Sequence, residues 1–521
     1  MKNKSNFLLL ATLLGGLLFN FLFWKERLAL NLMIYSIFLM MTTFINPEVI
    51  NSAKLKMYGS AHLLAALLVV INNSDLTLVS YYISLLAFIG IAHNQQIRTI
   101  FVSILAALLQ LVTVPFNAIK NLTTVRIGNL SLKPLFKLLK YILIPITIII
   151  IFTSLYSAAS QVFAHYVSLM LTHVGNALAE VINFFFKDLD FARIIYFCFG
   201  LLLTSGLLIP FFDKSLQKAE LKCTEQLVRL RKGKTTTAWF EFLEIFTGGL
   251  LHRKLALKTE YIIGLISFIS LNLLLLLLNT IDVTTLWFGY KPSGNFSSEL
   301  HQGTNSLIFS ILMAMLVIIY FFRGNLNFFS KSKTLRTLAF AWMVQNCILI
   351  ISVLIRDGYY IEFHGLTHKR IGVLVFALLC IIGLSTVYIK VAKQKTLFYL
   401  FQTNGKIWFI LLLMFSTVNW DVFIVKYNLS RTDSIAIDAD YLISLSDKTL
   451  PFLDKNRAKI GQSTNNKSET RTATYSNLQQ TLLQKLDVRI DFFEERYKEA
   501  SWVSWNVQDW NTAEYFGLNR K

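Results

Sequence analysis

Charge is what this sequence has least of. Asp, Glu, Lys and Arg make up 15% of its 521 residues, where a soluble globular chain carries about 25%. That is too little polar side chain to cover a water-facing surface, and it excludes a string of soluble domains. Cysteine is scarce as well: Cys198, Cys223, Cys347 and Cys380 are the only four, three of them lie inside apolar runs, and no CxxC pair occurs. A disulfide framework and a Cys-based zinc site are therefore unsupported. Walker, Rossmann, Gly-x-Ser-x-Gly and protein-kinase signatures are absent. What is present is apolar: 55% of the residues, with a mean hydropathy of +0.54, arranged in long unbroken runs. The class this points to is an integral membrane protein.

A helix needs about 20 mostly apolar residues to cross a bilayer core. Nine runs meet that clearly, at 7–24, 28–44, 141–160, 191–212, 261–280, 305–322, 337–355, 371–391 and 407–423. Three shorter ones, at 57–71, 76–92 and 99–115, bring the expected total to about twelve. The first run lacks a small-residue cleavage site and leads straight into a second apolar run, so it is expected to be a mature span rather than a signal. The fold class expected is all-α and polytopic transmembrane, with a small helical extracytoplasmic C-terminal module. The divisions are 1–212 (N-terminal bundle), 213–258 (basic cytoplasmic loop), 259–423 (C-terminal bundle) and 424–521 (tail).

The net charge of +20 comes from 50 Lys and Arg against 30 Asp and Glu. The segments 25–27, 116–140, 213–258, 323–336 and 390–406 hold 25 cations, whereas the alternate segments 45–56, 93–98, 161–190, 281–304 and 356–370 hold 8. Cytoplasmic loops carry the excess, so the rich set is assigned to the cytoplasm and the tail to the other side. The tail itself is nearly neutral, with 14 cations and 13 acids. The basic excess is thus a topology signal, and a nucleic-acid partner is not expected. In 213–258, the run from Arg229 to Lys234 beside Trp239, Phe240, Phe242 and Phe246 suits a helix lying on anionic membrane lipid, or else a surface for a cytoplasmic protein partner.

Within the tail, 461–471 lacks a large apolar residue and reads as a linker. Before it come short helices broken at Pro451. After it, Leu478, Leu482, Leu486, Ile490, Phe493 and Tyr497 recur every three or four residues, the apolar face of an amphipathic helix that needs a partner. Trp502, Trp505 and Trp510 read as a packing or membrane-interface cluster.

Two extracytoplasmic loops gather ionisable groups: Glu299 and His301 ahead of the ninth span, and Arg356, Tyr360, Glu362 and Arg370 between the tenth and eleventh. The simplest expectation is an ion-pair lattice in which Glu362 meets Arg356 or Arg370 across a tight turn at Gly365. A ligand or partner site is the second reading. A metal site using His364, His368 and His301 is the weakest, because no HExxH-like motif fixes the geometry. No catalytic, cofactor-binding or metal residue is assigned.

These loops also carry a resemblance. Glu299-x-His301-x-Gly303, then Arg356-x-x-x-Tyr360-x-Glu362-x-x-Gly365-Leu366-Thr367-x-x-Arg370, Asn419-x-Asp421, Tyr427-Asn428, Asp438-x-x-Tyr441-Leu442 and Leu445-Ser446 together resemble a bacterial multi-pass membrane family. It is catalogued as a domain of unknown function, number four-one-seven-three, close to the family numbered four-one-five-three. The resemblance covers roughly 299 to the C-terminus. It implies a protein of the bacterial cytoplasmic (inner) membrane with extracytoplasmic C-terminal residues, and it supplies no activity.

Charge is nearly missing from the interiors of the spans: Arg193, Lys390 and Asp421 lie near ends, while amides such as Asn20, Gln110, Asn272, Gln345 and Asn346 lie within. Buried amides serve as hydrogen-bond glue between helices, and proton-coupled transport is disfavoured without a buried relay. The functional order expected is a non-enzymatic membrane scaffold or sensing component, then a transporter or facilitator for a small or lipidic solute, then a membrane enzyme on envelope substrates.

Overall fold

The computed structural model describes residues 2–47, 49–122, 160–185, 191–210, 214–228, 257–288, 296–431, 438–462 and 482–518, with scattered positions between 123 and 159. The helices are α1 (Lys2–Phe23), α2 (Leu30–Ile45), α3 (Ala53–Asn72), α4 (Asp75–His93), α5 (Ile100–Leu122), α6 (Gln161–Phe185), α7 (Phe191–Leu208) and α8 (Lys214–Leu221). They continue as α9 (Leu257–Asp282), α10 (Phe296–Phe321), α11 (Ser332–His364), α12 (His368–Ala392), α13 (Leu397–Ser416) and α14 (Trp420–Ser430). The tail forms α15 (Ala439–Ser444), α16 (Leu450–Lys455), α17 (Arg457–Gln462), α18 (Leu482–Glu499) and α19 (Val507–Tyr515). A two-residue antiparallel ladder, Arg126–Ile127 with Leu130–Ser131, is the one strand pairing among the described residues.

The chain is therefore all-helical, and it is a multi-pass membrane protein. Among the described residues, seven stretches are long and apolar enough to cross a membrane: α3, α4, Ile100–Asn117 of α5, Glu260–Trp287, α11, α12 and α13. Shorter apolar stretches lie in α1, α2, α7 and α10. The run at 141–160 falls mostly outside the described residues, as does the aromatic-basic part of 213–258. Three details differ from expectation. Residues 161–185, expected in a loop, form α6. The last apolar span ends at Ser416 rather than 423, because the Asn419 side chain accepts a hydrogen bond from the Val422 N–H and caps a new helix, α14. Pro451 begins α16 instead of breaking a helix, since the first turn has no use for the missing N–H.

Two compact units emerge, Met1–Ala53 with Leu105–Phe212, and Lys54–Ile104 with Asp213–Lys521. In the first, α1 and α7 pack so closely that a Cβ on Gly15 would lie 2.4 Å from Thr204, and one on Gly200 would lie 2.5 Å from Phe19. Small residues permit this approach where the solvent gives helices no apolar driving force. The Tyr35 and Thr204 hydroxyls hydrogen-bond at 2.8 Å, and Gln110 donates to the Gly206 carbonyl at 2.7 Å.

In the second unit the amides act as expected. Asn272 donates to the Leu338 carbonyl at 3.1 Å, Gln345 donates to the Asn272 side chain at 2.9 Å, and Asn279 donates to the Gln345 carbonyl at 3.0 Å, lacing α9 to α11. One end of this unit gathers basic segments. Lys54 donates to the Ile97 carbonyl, Arg98 pairs with Glu225 at 2.7 Å, buried Glu220 accepts from the Arg98 and Thr99 N–H groups, and Gln226 bridges Lys395. The alternation of loops places 93–98 opposite 213–258, whereas the structure puts 93–98 and the described part of that loop, 214–228, at the same end. Arg98 is the only cation in that short loop, so there was no charge bias to read.

At the other end the tail does not stand apart. Leu366 and Ile371 share one core with Ile424, Val425, Leu442, Leu453, Leu486, Phe493 and Tyr497. The buried face of α18 is the expected one, Leu486, Ile490, Phe493 and Tyr497. Asp447 receives Arg489 and Arg496, and Arg496 also reaches Asp509 at 3.3 Å, which binds α18 and α19 to the turn before α16. Trp502 and Trp510 are largely exposed.

Candidate functional site

The turn between α11 and α12 is the point on which the membrane helices and the tail converge. Gly365 ends α11 with φ +76°, a left-handed conformation for which glycine is suited. Its hypothetical Cβ would sit 2.5 Å from the Asn428 side chain, so the turn lies directly on α14. Thr367 then caps α12 by accepting from the Arg370 N–H.

Of the six residues singled out in the sequence, the four whose side chains are described, Arg356, Tyr360, Glu362 and Arg370, do not form one lattice. Glu299 and His301 fall in the first turns of α10, and their side chains lie outside the described residues. Arg356 pairs with Asp282 at the end of α9, not with Glu362. Glu362 is exposed and makes no ion pair among the described residues. Arg370 and Tyr360 do meet: the guanidinium lies 4.2 Å from the Tyr360 ring centre and donates to the carbonyls of His364, at 2.9 Å, and Gly365. The expected pairing failed because α11 runs on to His364 as a regular helix. Residues six apart on a helix point away from each other, so Arg356 and Glu362 face different neighbours.

The polar centre is Asp421, at the start of α14. One carboxylate oxygen meets His368 Nε2 at 2.7 Å, while the other accepts from the Ser446 hydroxyl and lies 3.5 Å from the Lys448 ammonium. Burial alone would raise this carboxyl, but the bonds from His368 and Ser446 and the Lys448 charge outweigh it and hold it down to about 2. Lys448 is almost fully buried and donates to the Asn72 carbonyl at 3.2 Å, and the Asn72 amide in turn donates to the carbonyls of Ser416 and Thr417. Tyr441 accepts from the His368 N–H at 3.0 Å. In the sequence Tyr441 and Ser446 carry only a resemblance, and Asp421 is otherwise just a charge near the end of a span. Nothing in their spacing shows that they meet His368.

This arrangement holds elements together. The Asp421 carboxylate bridges His368 and Ser446, so one side chain of α14 ties the start of α12 to the turn that follows α15. His364 stacks on Tyr360 at 4.7 Å while His368 turns to Asp421, and among the described residues no three His, Cys, Asp or Glu side chains form a metal-holding group.

Beside Asp421 opens a cavity of about 610 Å³. Its polar end is formed by Asp75, His368, Asp421 and Lys448, and its walls by apolar faces of α12 and α13, including Ile371, Val375, Leu411 and Phe415.

No curated protein and no solved structure matches the chain. A family model described as a domain of unknown function, DUF4153, matches residues 58–456. That stretch contains the Gly365 turn, Asp421, Asn428 and Lys448. The match is to the neighbour of the family that the motifs resemble, number four-one-seven-three. The chain belongs to the DUF4153 family.

Proposed function

We propose that the protein is a non-enzymatic scaffold or sensing component of the bacterial cytoplasmic membrane, in which extracytoplasmic C-terminal helices are coupled rigidly to the membrane helices. The observation that carries this reading is the shared core. Leu366 and Ile371, at the junction of two apolar spans, pack with Leu442, Leu486 and Phe493 of the tail. A displacement of the tail is thereby transmitted to α11 and α12. The basic segments 213–228, 323–336 and 390–406 then face the cytoplasm, with 93–98 beside them. The tail stays outside in the topology proposed. Because 93–98 and 214–228 share a side, an even number of crossings separates them; with the four runs before 93–98 and the five after 258 kept, the total is odd, eleven or thirteen rather than twelve. The cavity supports a second reading, a facilitator for a lipidic solute.

Spheroplasts test the first reading. A protease added outside should cut the tail in a doubly substituted Asp421→Asn/Asn428→Ala chain much faster than in the native one. A membrane-impermeant maleimide should reach Cys223 only in inverted vesicles. Labelling of Cys223 in intact cells, or equal tail protection in both chains, would overturn it.

A further inference from the structure

The cavity beside Asp421 has two contrasting parts. Its walls are apolar and run down two helices: on α12 they extend from Ile371 to Leu379, and on α13 from Phe415 to Trp408. His368 and Leu379 are eleven residues apart, so the slot follows α12 for about 16 Å at about 1.5 Å per residue. Gly372 lies on this wall, and a Cβ placed there would meet nothing within 4 Å. A slot of that length beside apolar spans has the shape of a hydrocarbon chain.

The polar end discriminates by charge. Lys448 is committed to Asp421 and to the Asn72 carbonyl, and its side chain is 3% exposed. The three helix N-termini at the mouth, usually ready anion sites, are already capped. Ser74 and Thr77 close a capping box on α4, Thr367 caps α12 while the His368 N–H goes to Tyr441, and Asn419 caps α14. The remaining charged group is Asp75, which is exposed on the cavity lining and makes no ion pair within 4 Å among the described residues; the Lys448 ammonium, whose charge it feels, is already held by Asp421 at 3.5 Å. Trp420 lines the same cavity, its ring fixed by an Nε1–H bond to the Phe415 carbonyl at 3.0 Å. An exposed carboxylate and an aromatic ring on one cavity lining favour a cation.

We propose that this cavity binds one amphiphile whose head carries a protonated amine, the ammonium at Asp75 and the chain along Gly372, Val375, Phe376 and Leu379. The site depends on neither reading of the tail, and its test does not involve tail release.

The full-length chain, purified in a nonionic detergent, is mixed with phosphatidylethanolamine or phosphatidylglycerol of identical acyl chains, and bound lipid is counted by native mass spectrometry alongside the melting temperature. Phosphatidylethanolamine should bind about fivefold better, the ratio a partly screened ion pair gives. Asp75→Asn should abolish that preference. Gly372→Trp should reduce occupancy by both lipids while leaving the lipid-free melting temperature unchanged, because the new side chain enters open space. Equal binding of the two lipids by the native chain, or undiminished phosphatidylethanolamine binding by Gly372→Trp, would overturn the proposal. So would protection by free ethanolamine phosphate equal to that by the lipid, since a headgroup alone would then suffice.

Discussion

Asn428 turns both ends of its carboxamide onto the backbone of a single residue, Leu366. The Leu366 N–H donates to Oδ1 at 2.7 Å, and Nδ2 donates to the Leu366 carbonyl at 2.9 Å. All four atoms are buried, so α14 reads the turn between two membrane helices as a strand would read its neighbour.

Removing that amide leaves two buried backbone groups without partners, each costing about 1 to 3 kcal/mol. Asn428→Ala is expected to lower the melting temperature strongly. Gly365→Ala should do the same, by pressing a Cβ into Asn428 and by forcing alanine to positive φ. Because both changes act on one contact, the double variant should lose less than the sum of the singles, which calorimetry of the three chains will show.

The Asp421 carboxyl falls from the usual 3.8 to about 2 in the folded chain. A depressed carboxyl contributes stability above its unfolded value, and that stability is lost as pH falls through the folded one. The contribution is therefore complete above about pH 4 and disappears between about pH 4 and pH 2. With its side chain 14% exposed, it amounts to about 2 to 3 kcal/mol. Asp421→Asn should be less stable than the native chain at pH 7 by about that amount, and the gap should narrow from about pH 4 and close near pH 2 in thermal melts across the range.

Arg356 and Asp282 pair where both are largely shielded, with side chains 18% and 4% exposed. Breaking such a pair from one side typically costs about 3 to 5 kcal/mol. Asp282→Asn should destabilise strongly, whereas Glu362→Gln should stay within about 0.5 kcal/mol, as expected for an exposed residue away from any packed feature. Equal losses from the two changes, compared by thermal shift, would show that Glu362 has a partner after all.

The pairing of Arg98 with Glu225 puts the 93–98 loop on the side of Cys223. A cysteine at exposed Gln96 should be labelled by an impermeant maleimide from the same membrane face as Cys223. Labelling from the opposite face would restore the simple alternation of loops.

The sequence by itself determined what each segment does with its own surface. Hydrophobic runs longer than a bilayer is thick can only be membrane helices, a 3.6-residue stripe at Leu486, Ile490, Phe493 and Tyr497 can only bury one face, and amides within apolar runs must find each other. Glycine at 365 and the capping residues Thr367 and Asn419 are also local signals, although Asn419 was passed over because the apolar run continues through it. The tertiary structure alone decided who meets whom. Asp421 reaches His368 from 53 positions away and Lys448 meets the Asn72 carbonyl across 376, distances over which no periodicity carries information. The expected Glu362 lattice failed for the same reason. Nearness in sequence brings charges together only if the helix phase allows it, and α11 turns Arg356 toward Asp282 instead. The cavity with the exposed Asp75 carboxylate on its lining appears only when α4, α12, α13 and the tail are assembled, because each of its walls is an ordinary apolar helix face on its own.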